Sequence, residues 1–341
     1  MLSLSDLQIK LDEMGLPKFR AKQVFSAVFC EGKDNYEDIK VLPKDLREKL
    51  AKEIPIFSLK LIKRQVSFDK KTEKALFELQ DGQKIEAVLM RFNDGRLSIC
   101  ISSQAGCQLG CKFCATGTMK FGRNLTYEEI CDQVLYFAQL LHKENQKISN
   151  IVLMGMGEPM MNYDNVMKAL YLINDKEGIN IGARKITVST SGVCEGIAKL
   201  THEPLQVNLA LSLHAPNQEI REKIMPIAKR YKLDELMKTI EEYFRVTNRR
   251  VSYEYVMLKN INDLPEHALE LAKLVKGQIC HINLIPYNST DIKNISGSER
   301  ERITEFRNIL VKHGANATIR VTIGQEIDAA CGQLANKAEK N

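Results

Sequence analysis

No stretch of this 341-residue sequence approaches the roughly 18 consecutive apolar residues that a membrane-spanning helix needs, so no membrane span is expected. The opening Met1-Leu2-Ser3-Leu4-Ser5-Asp6-Leu7 lacks the basic start and long apolar core of a secretory signal, and the expectation is a cytoplasmic protein. No internal repeat and no low-complexity segment is visible. Neither charge sign dominates: 49 Lys plus Arg against 43 Asp plus Glu leave a formal charge of +6, which alone implies only a mild attraction to polyanions. No nucleotide-binding glycine fingerprint opens the first strand of the main α/β region, which disfavours an NAD enzyme.

What is present is a change of rhythm along the chain. Residues 1–55 read as short helices: Leu4, Leu7, Leu11 and Met14 recur at helical spacing, and further helices are expected near 20–29 and after Pro43. Lys18, Arg20 and Lys22 make this small helical module a candidate for nucleic-acid contact. Residues 56–92 read as β, with Asp81-Gly82 as the turn between two strands, and are taken as a linker segment. From there to about residue 325, strand patterns at 97–101, 150–154, 185–189, 207–212, 251–257 and 281–285 alternate with helical ones, as in a parallel sheet or partial barrel. Residues 326–341 read as a C-terminal loop.

Nine cysteines in a chain expected to be cytosolic argue against a disulfide framework. Cys30, Cys131, Cys194 and Cys280 stand among apolar neighbours and read as small buried hydrophobes. Cys107, Cys111 and Cys114 are different. Their C-x3-C-x2-C spacing follows the first strand of the α/β region directly. Three thiolates can hold three irons of a cubane cluster, where a fully protein-bound cluster takes four. The open iron is then free for an outside ligand, and S-adenosylmethionine can chelate it through its amino and carboxylate groups. The competing reading, a structural zinc site, wants four ligands, and no fourth Cys or His lies at a suitable short distance downstream.

In barrels the active site gathers at the C-terminal ends of the strands. Here those ends carry Gly155-Met156-Gly157-Glu158-Pro159, Ser189-Thr190-Ser191-Gly192, Ser212-Leu213-His214 and Pro286-Tyr287-Asn288. One such segment is an ordinary polar loop; four in register above a cysteine cluster read as one pocket.

Taken with Phe113-Cys114-Ala115-Thr116-Gly117, Arg123-Asn124-Leu125-Thr126, Met154 through Asn162 and Ala329-Ala330-Cys331-Gly332-Gln333-Leu334, these motifs resemble the RlmN/Cfr family of radical S-adenosylmethionine RNA methyltransferases over nearly the whole chain. The resemblance implies a partial (β/α)6 barrel with a small N-terminal helical domain. It implies Cys107, Cys111 and Cys114 as ligands of a 4Fe-4S cluster. Gly157, Glu158, Ser189, Ser212, Leu213, His214 and Asn288 are implied as contacts to S-adenosylmethionine. Cys331 matches the methyl-carrying cysteine, Cys100 the partner that resolves the protein–RNA adduct through a transient disulfide, and Glu86 the proton acceptor.

The same resemblance implies methylation of adenine C2 in 23S rRNA and in certain tRNAs, consuming two S-adenosylmethionines per turnover. A flavodoxin or ferredoxin would serve as electron donor, and the protein is expected to be a monomer. The alternative within the family is C8 methylation; outside it, a non-catalytic iron–sulfur or zinc RNA-binding module. Lys60, Lys63, Arg64, Lys70, Lys71, Arg249 and Arg250 are candidates for phosphate contacts. The target adenine is expected to be unpaired or flipped.

Overall fold

The computed structural model describes residues 2–290, 292 and 294–336, so the last five residues of the expected C-terminal loop lie outside it. Three helices come first: α1 (Leu4–Glu13), α2 (Phe19–Phe29) and α3 (Lys44–Glu53). Each buries one stripe, Leu7 and Leu11 in α1 and Leu46 and Leu50 in α3, as their spacing predicts. Three antiparallel strands follow, β1 (Lys60–Val66), β2 (Thr72–Glu78) and β3 (Lys84–Arg91).

The α/β region then runs β4 (Leu97–Cys100), a small pair β5 (Gln104–Ala105) and β6 (Arg123–Asn124), α4 (Tyr127–Lys143), β7 (Asn150–Leu153), α5 (Tyr163–Asn174), β8 (Ile186–Thr190) and α6 (Cys194–Thr201). It continues with β9 (Asn208–Ser212), α7 (Gln218–Ile224), α8 (Leu233–Thr247), β10 (Val251–Met257), α9 (Pro265–Leu274), β11 (Cys280–Pro286), α10 (Arg300–Lys312) and β12 (Ala317–Ile319).

Strands β4, β7, β8, β9, β10, β11 and β12 pair in parallel in that order. The order runs from edge to edge, so the barrel is open, a partial (β/α)6 wall with one more strand at its rim. The six expected strands are all present. One feature differs from the sequence reading: residues 56–92 are not a separate hairpin linker. β3 pairs antiparallel with β4, so β1–β3 extend the barrel wall into one ten-stranded sheet. Alternation shows which face of a strand is buried, but not which neighbour it pairs with.

The helical module is fastened to the barrel by polar contacts. Tyr127 donates its hydroxyl to Asp6, which also pairs with Lys168 at 3.0 Å, and Ser58 binds Asp132 through its amide and hydroxyl. α4 starts where Thr126 and Glu129 form a reciprocal capping box, which fixes the chain just past the cysteine loop. No helix among the described residues is long and apolar enough to cross a membrane. The buried reading of the four scattered cysteines holds for Cys131 and Cys194; Cys280 is half-buried, and Cys30 is exposed at the end of α2, beside the Glu177 carbonyl.

Candidate active site

The three clustered cysteines lie on one loop between β5 and β6. Gly106 opens it with φ +76°, and a Cβ there would run into the Lys120 carbonyl, so only glycine lets the chain turn so closely. Cys114 N donates to the Cys111 carbonyl at 3.2 Å, and Lys112 N to Ile224 at the end of α7, which presses the loop against the barrel.

All three thiols line a single cavity at the C-terminal ends of the strands. Burial pushes the Cys107 thiol up to about 12 and the Cys111 thiol well above its ordinary value, so iron must displace protons to bind there. Among the described residues no three His, Cys, Asp or Glu side chains converge on a single ion. A cubane does not ask for that, because each thiolate takes its own iron. The donor set, soft thiols on a tight loop beside a pocket, therefore fits such a cluster.

The pocket wall is mostly apolar, from Leu109, Phe113, Leu153, Met154, Met225 and Ile285, with a few directed polar groups. Gly157 stands at φ +98°, where a Cβ would meet Gln104 at 2.5 Å. Glu158 is 2% exposed and accepts from Met160 N at 3.1 Å and Ser191 N at 2.7 Å. Burial raises its carboxyl, and those two N–H groups oppose the rise. Ser189 and Ser212 face each other across β8 and β9 with their oxygens 3.5 Å apart.

His214 follows β9 in the left-handed region, φ +57°, an uncommon conformation for this residue type. Its Nδ1 accepts from Val256 N at 3.0 Å, and burial lowers its pKa to about 3. The ring is neutral with its proton on Nε2, the remaining group that can donate into the pocket. Phe113, next to Cys114, packs edge-on against it at 4.8 Å.

Cys331 and Gly332 line the same cavity from the C-terminal segment, and Cys331 is exposed. Ala115 N, next to Cys114, donates to the Gly332 carbonyl at 2.8 Å, and Thr116 Oγ1 to the Leu334 carbonyl at 2.6 Å. Asn288 does not line the cavity: it is 3% exposed, and its side chain donates to the Cys331 carbonyl and accepts from Gln325. Leu213 is fully buried, and its carbonyl accepts from Arg221.

Cys100 stands at the end of β4 and is not among the residues lining the cavity. Burial pushes its thiol up to about 12, the charge of Cys331 adds to this, and Arg320 opposes it. Cys100 and Cys331 thus sense each other and share one guanidinium. All nine cysteines are free thiols in this structure. Glu86 lies off the cavity, paired with Lys74 beneath the Cys331 segment.

Two functional candidates escaped the sequence reading. Glu254 is 3% exposed in β10, lines the cavity, and is held by Asn283 at 2.8 Å and Arg320 at 3.5 Å. Its signal was a lone carboxylate between Tyr253 and Tyr255 in a buried strand. Arg221 in α7 has no exposed surface; it donates to the carbonyls of Ser191 at 2.7 Å and Leu213 at 3.3 Å, and its Nη1 has no partner. It stands beside Ile220 and Ile224 on the apolar stripe of the helix, which is the signal that could have found it.

Comparison with known proteins bears on the same residues. Residues 101–275 match the Radical SAM superfamily, and residues 2–56 match the ribosomal RNA large subunit methyltransferase N-terminal domain. A probable dual-specificity RNA methyltransferase RlmN from Clostridium novyi is 45% identical over 339 residues, covering 99% of this chain and 98% of the relative. One from Bacillus cytotoxicus is 47% identical over 339 residues, covering 99% and 93%. The crystal structure of a radical SAM methyltransferase from Sphaerobacter thermophilus superposes with a TM-score of 0.96 at 43% identity, covering 98% of each chain.

Proposed function

The chain belongs to the RlmN family of radical S-adenosylmethionine RNA methyltransferases, and from that premise we propose that it methylates adenine C2 in 23S rRNA and in tRNA, with Cys331 as methyl carrier. The observation that carries this is the meeting of two kinds of thiol at one cavity: three on the cysteine loop and one, Cys331, on the segment that closes over it.

A thiolate is nucleophilic where an adenine C2 is not. Cys331 Sγ takes the methyl group of one S-adenosylmethionine, forming its own C–S bond as the sulfonium bond breaks and S-adenosylhomocysteine leaves. The 4Fe-4S cluster and a second S-adenosylmethionine, when bound, supply the deoxyadenosyl radical that removes a hydrogen atom from this methyl group. In our reading Cys107, Cys111 and Cys114 hold the cluster. Glu158, Ser189, Ser212 and the Nε2–H of His214 orient the cofactor, while the apolar wall keeps water from the reacting carbon.

Once the methylene radical has added to the adenine, the adduct gives up one electron, which the cluster when bound would take back, and Glu86 accepts the ring proton. Cys100, as a thiolate, then attacks the Cys331 sulfur. The C–S bond to the RNA breaks with its electron pair on the methylene carbon, which takes up a proton to become the methyl group, and the disulfide left behind is reopened by an outside reductant. Leu213 and Asn288 act one layer out: Leu213 anchors Arg221, and Asn288 holds the Cys331 backbone. A flavodoxin or ferredoxin as donor, a monomeric enzyme and a cytoplasmic location complete the reading. For the RNA itself, residues 2–56 and the exposed basic residues supply phosphate contacts. Arg64 and Lys60 do so only in part, since Arg64 is paired with Glu73 at 2.6 Å and Lys60 lies 3.6 Å from Glu78.

The test is anaerobic reconstitution, reaction with 23S rRNA and with tRNA, and mass spectrometry of the nucleosides. The expected product is 2-methyladenosine from both RNAs. 8-Methyladenosine alone, or no 5′-deoxyadenosine on reduction with dithionite, overturns the proposal.

A further inference from the structure

Beneath the Cys331 segment lies a buried ion pair. Lys74 on β2 and Glu86 on β3 are 3% and 1% exposed, and their charged atoms stand 3.0 Å apart. They are diagonal neighbours, since Lys74 pairs with Val88 and Leu76 with Glu86 in the register. Burying two charges costs more than a surface pair returns, and an apolar pair would fit a sheet interior at less cost.

This pair is tied to something specific. Lys74 Nζ also donates to the Asp328 carbonyl at 3.2 Å, and Asp328 sits in the left-handed region, φ +52°. Glu86 Oε2 accepts from the backbone N–H groups of Ala335 at 2.9 Å and Asn336 at 3.2 Å. Cys331 lies between these two attachment points. Glu86 thus carries three donors against the roughly four lone-pair sites of a carboxylate, with Oε1 engaged by Lys74 and Oε2 by both amides. An adenine ring proton arriving here meets oxygens already engaged.

We propose that Lys74 is a positioning residue of the methyl-transfer reaction: it ties Glu86 to both flanks of Cys331, and Glu86 stays capped until residues 335–336 withdraw. The inference rests on the reading of Glu86 as proton acceptor and Cys331 as methyl carrier. While the segment is docked, Cys331 is held over the pocket to receive its methyl group. When RNA enters and the segment lifts, the two amides leave Glu86, whereas Lys74, fixed in a strand, stays and keeps the carboxylate oriented toward the base. One ion pair therefore serves both stages.

The test uses the full chain, anaerobically loaded with its cluster and S-adenosylmethionine. It reads amide hydrogen exchange over 328–336 and the rate of release from the protein–RNA adduct. In Lys74→Met, exchange at Ala335 and Asn336 is expected to quicken about tenfold and adduct release to slow about tenfold, with Lys74→Arg restoring both. A folded Lys74→Met with wild-type exchange overturns the tie. Faster exchange with unchanged release reduces Lys74 to a structural staple and overturns the positioning claim. If Lys74→Met does not fold, Lys74→Gln, which keeps a donor to Asp328, takes its place with the same outcomes.

In the wild-type protein, adding RNA should expose the two amides; continued protection in the complex overturns the capping. Glu86→Gln separates this inference from the reading beneath it. Wild-type release in that variant removes Glu86 as proton acceptor, while exchange in the Lys74 variants still decides whether the pair docks the segment.

Discussion

At the C-terminal ends of β7 to β11 the chain gathers thiols, a capped carboxylate and a neutral histidine around a largely apolar cavity; at the N-terminal ends of β8 to β10 it gathers Arg184, Arg249 and Arg250 around a polar hollow with Thr187, Asn208 and Ser252. No carboxylate is among the described residues lining that second hollow. Arg249 is held by Asn208 at 3.0 Å, and Asn208 by the Arg184 carbonyl at 2.7 Å. The two ends are separated by the length of one strand, about 20 Å for a seven-residue strand such as β10. Strands β8 to β10, common to both ends, therefore carry two different surfaces. One end sets a few directed polar groups in a largely apolar wall. The other leaves positive charge open, where it can act only on long-range partners such as a phosphate backbone.

The comparison breaks most sharply at the cysteine loop. Cys111→Ser is expected to abolish reductive cleavage of S-adenosylmethionine and to remove the iron–sulfur absorbance of the reconstituted protein. Retention of both would mean that the loop is not the cluster site. Next in size is Arg221→Met, directly beneath the pocket. Losing the guanidinium leaves buried carbonyls of Ser191 and Leu213 unsatisfied, at about 1–3 kcal/mol for each. A fall of several kcal/mol in the stability from denaturant titration is the expected outcome. An unchanged midpoint would show that those carbonyls find water instead.

These two residues also mark how far the sequence could be read. Cys111 was legible as a cavity residue because its spacing to Cys107 and Cys114 is a local pattern that keeps the three thiols on one tight loop. The barrel strands were legible for the same reason, each being a short apolar run between turns. Arg221 was not, because its carbonyl partners come from two other strand ends and meet it only in the folded barrel. The joining of β1–β3 to the barrel wall was hidden likewise, since pairing partners leave no trace in alternation. Asn288 was found as a strand-end polar residue. Its position against the Cys331 backbone, one layer from the cavity, depends on where the C-terminal segment returns.

His214 sharpens the comparison by pH. Its folded-state pKa is about 3 against 6.5 for a free side chain, so the unfolded chain takes up a proton in this window and the folded one does not. The stabilising balance is present above about pH 6.5 and is lost as pH falls toward 3. Between pH 7 and pH 5 this amounts to about 2 kcal/mol from this residue. His214→Gln should flatten the pH dependence of stability by that much, and nitrogen-15 NMR of the wild type should show a neutral ring at pH 5. A ring that titrates near pH 6 would place water in the pocket.

The smallest effect belongs to the opposite end. Arg184 and Arg250 are exposed and Arg249 is half-buried, so removing one breaks no core. If the hollow meets RNA phosphates, each arginine releases about one counterion on binding. Arg249→Gln with Arg250→Gln should lower the slope of log affinity against log salt by about 1–2 and weaken RNA binding a few-fold near physiological salt. Because phosphate contacts carry no sequence information, rRNA and tRNA should weaken alike. An unchanged salt slope would instead confine the RNA to the pocket end and the helical module, leaving these arginines to cap strand ends, as the Arg249–Asn208–Arg184 chain of hydrogen bonds already does.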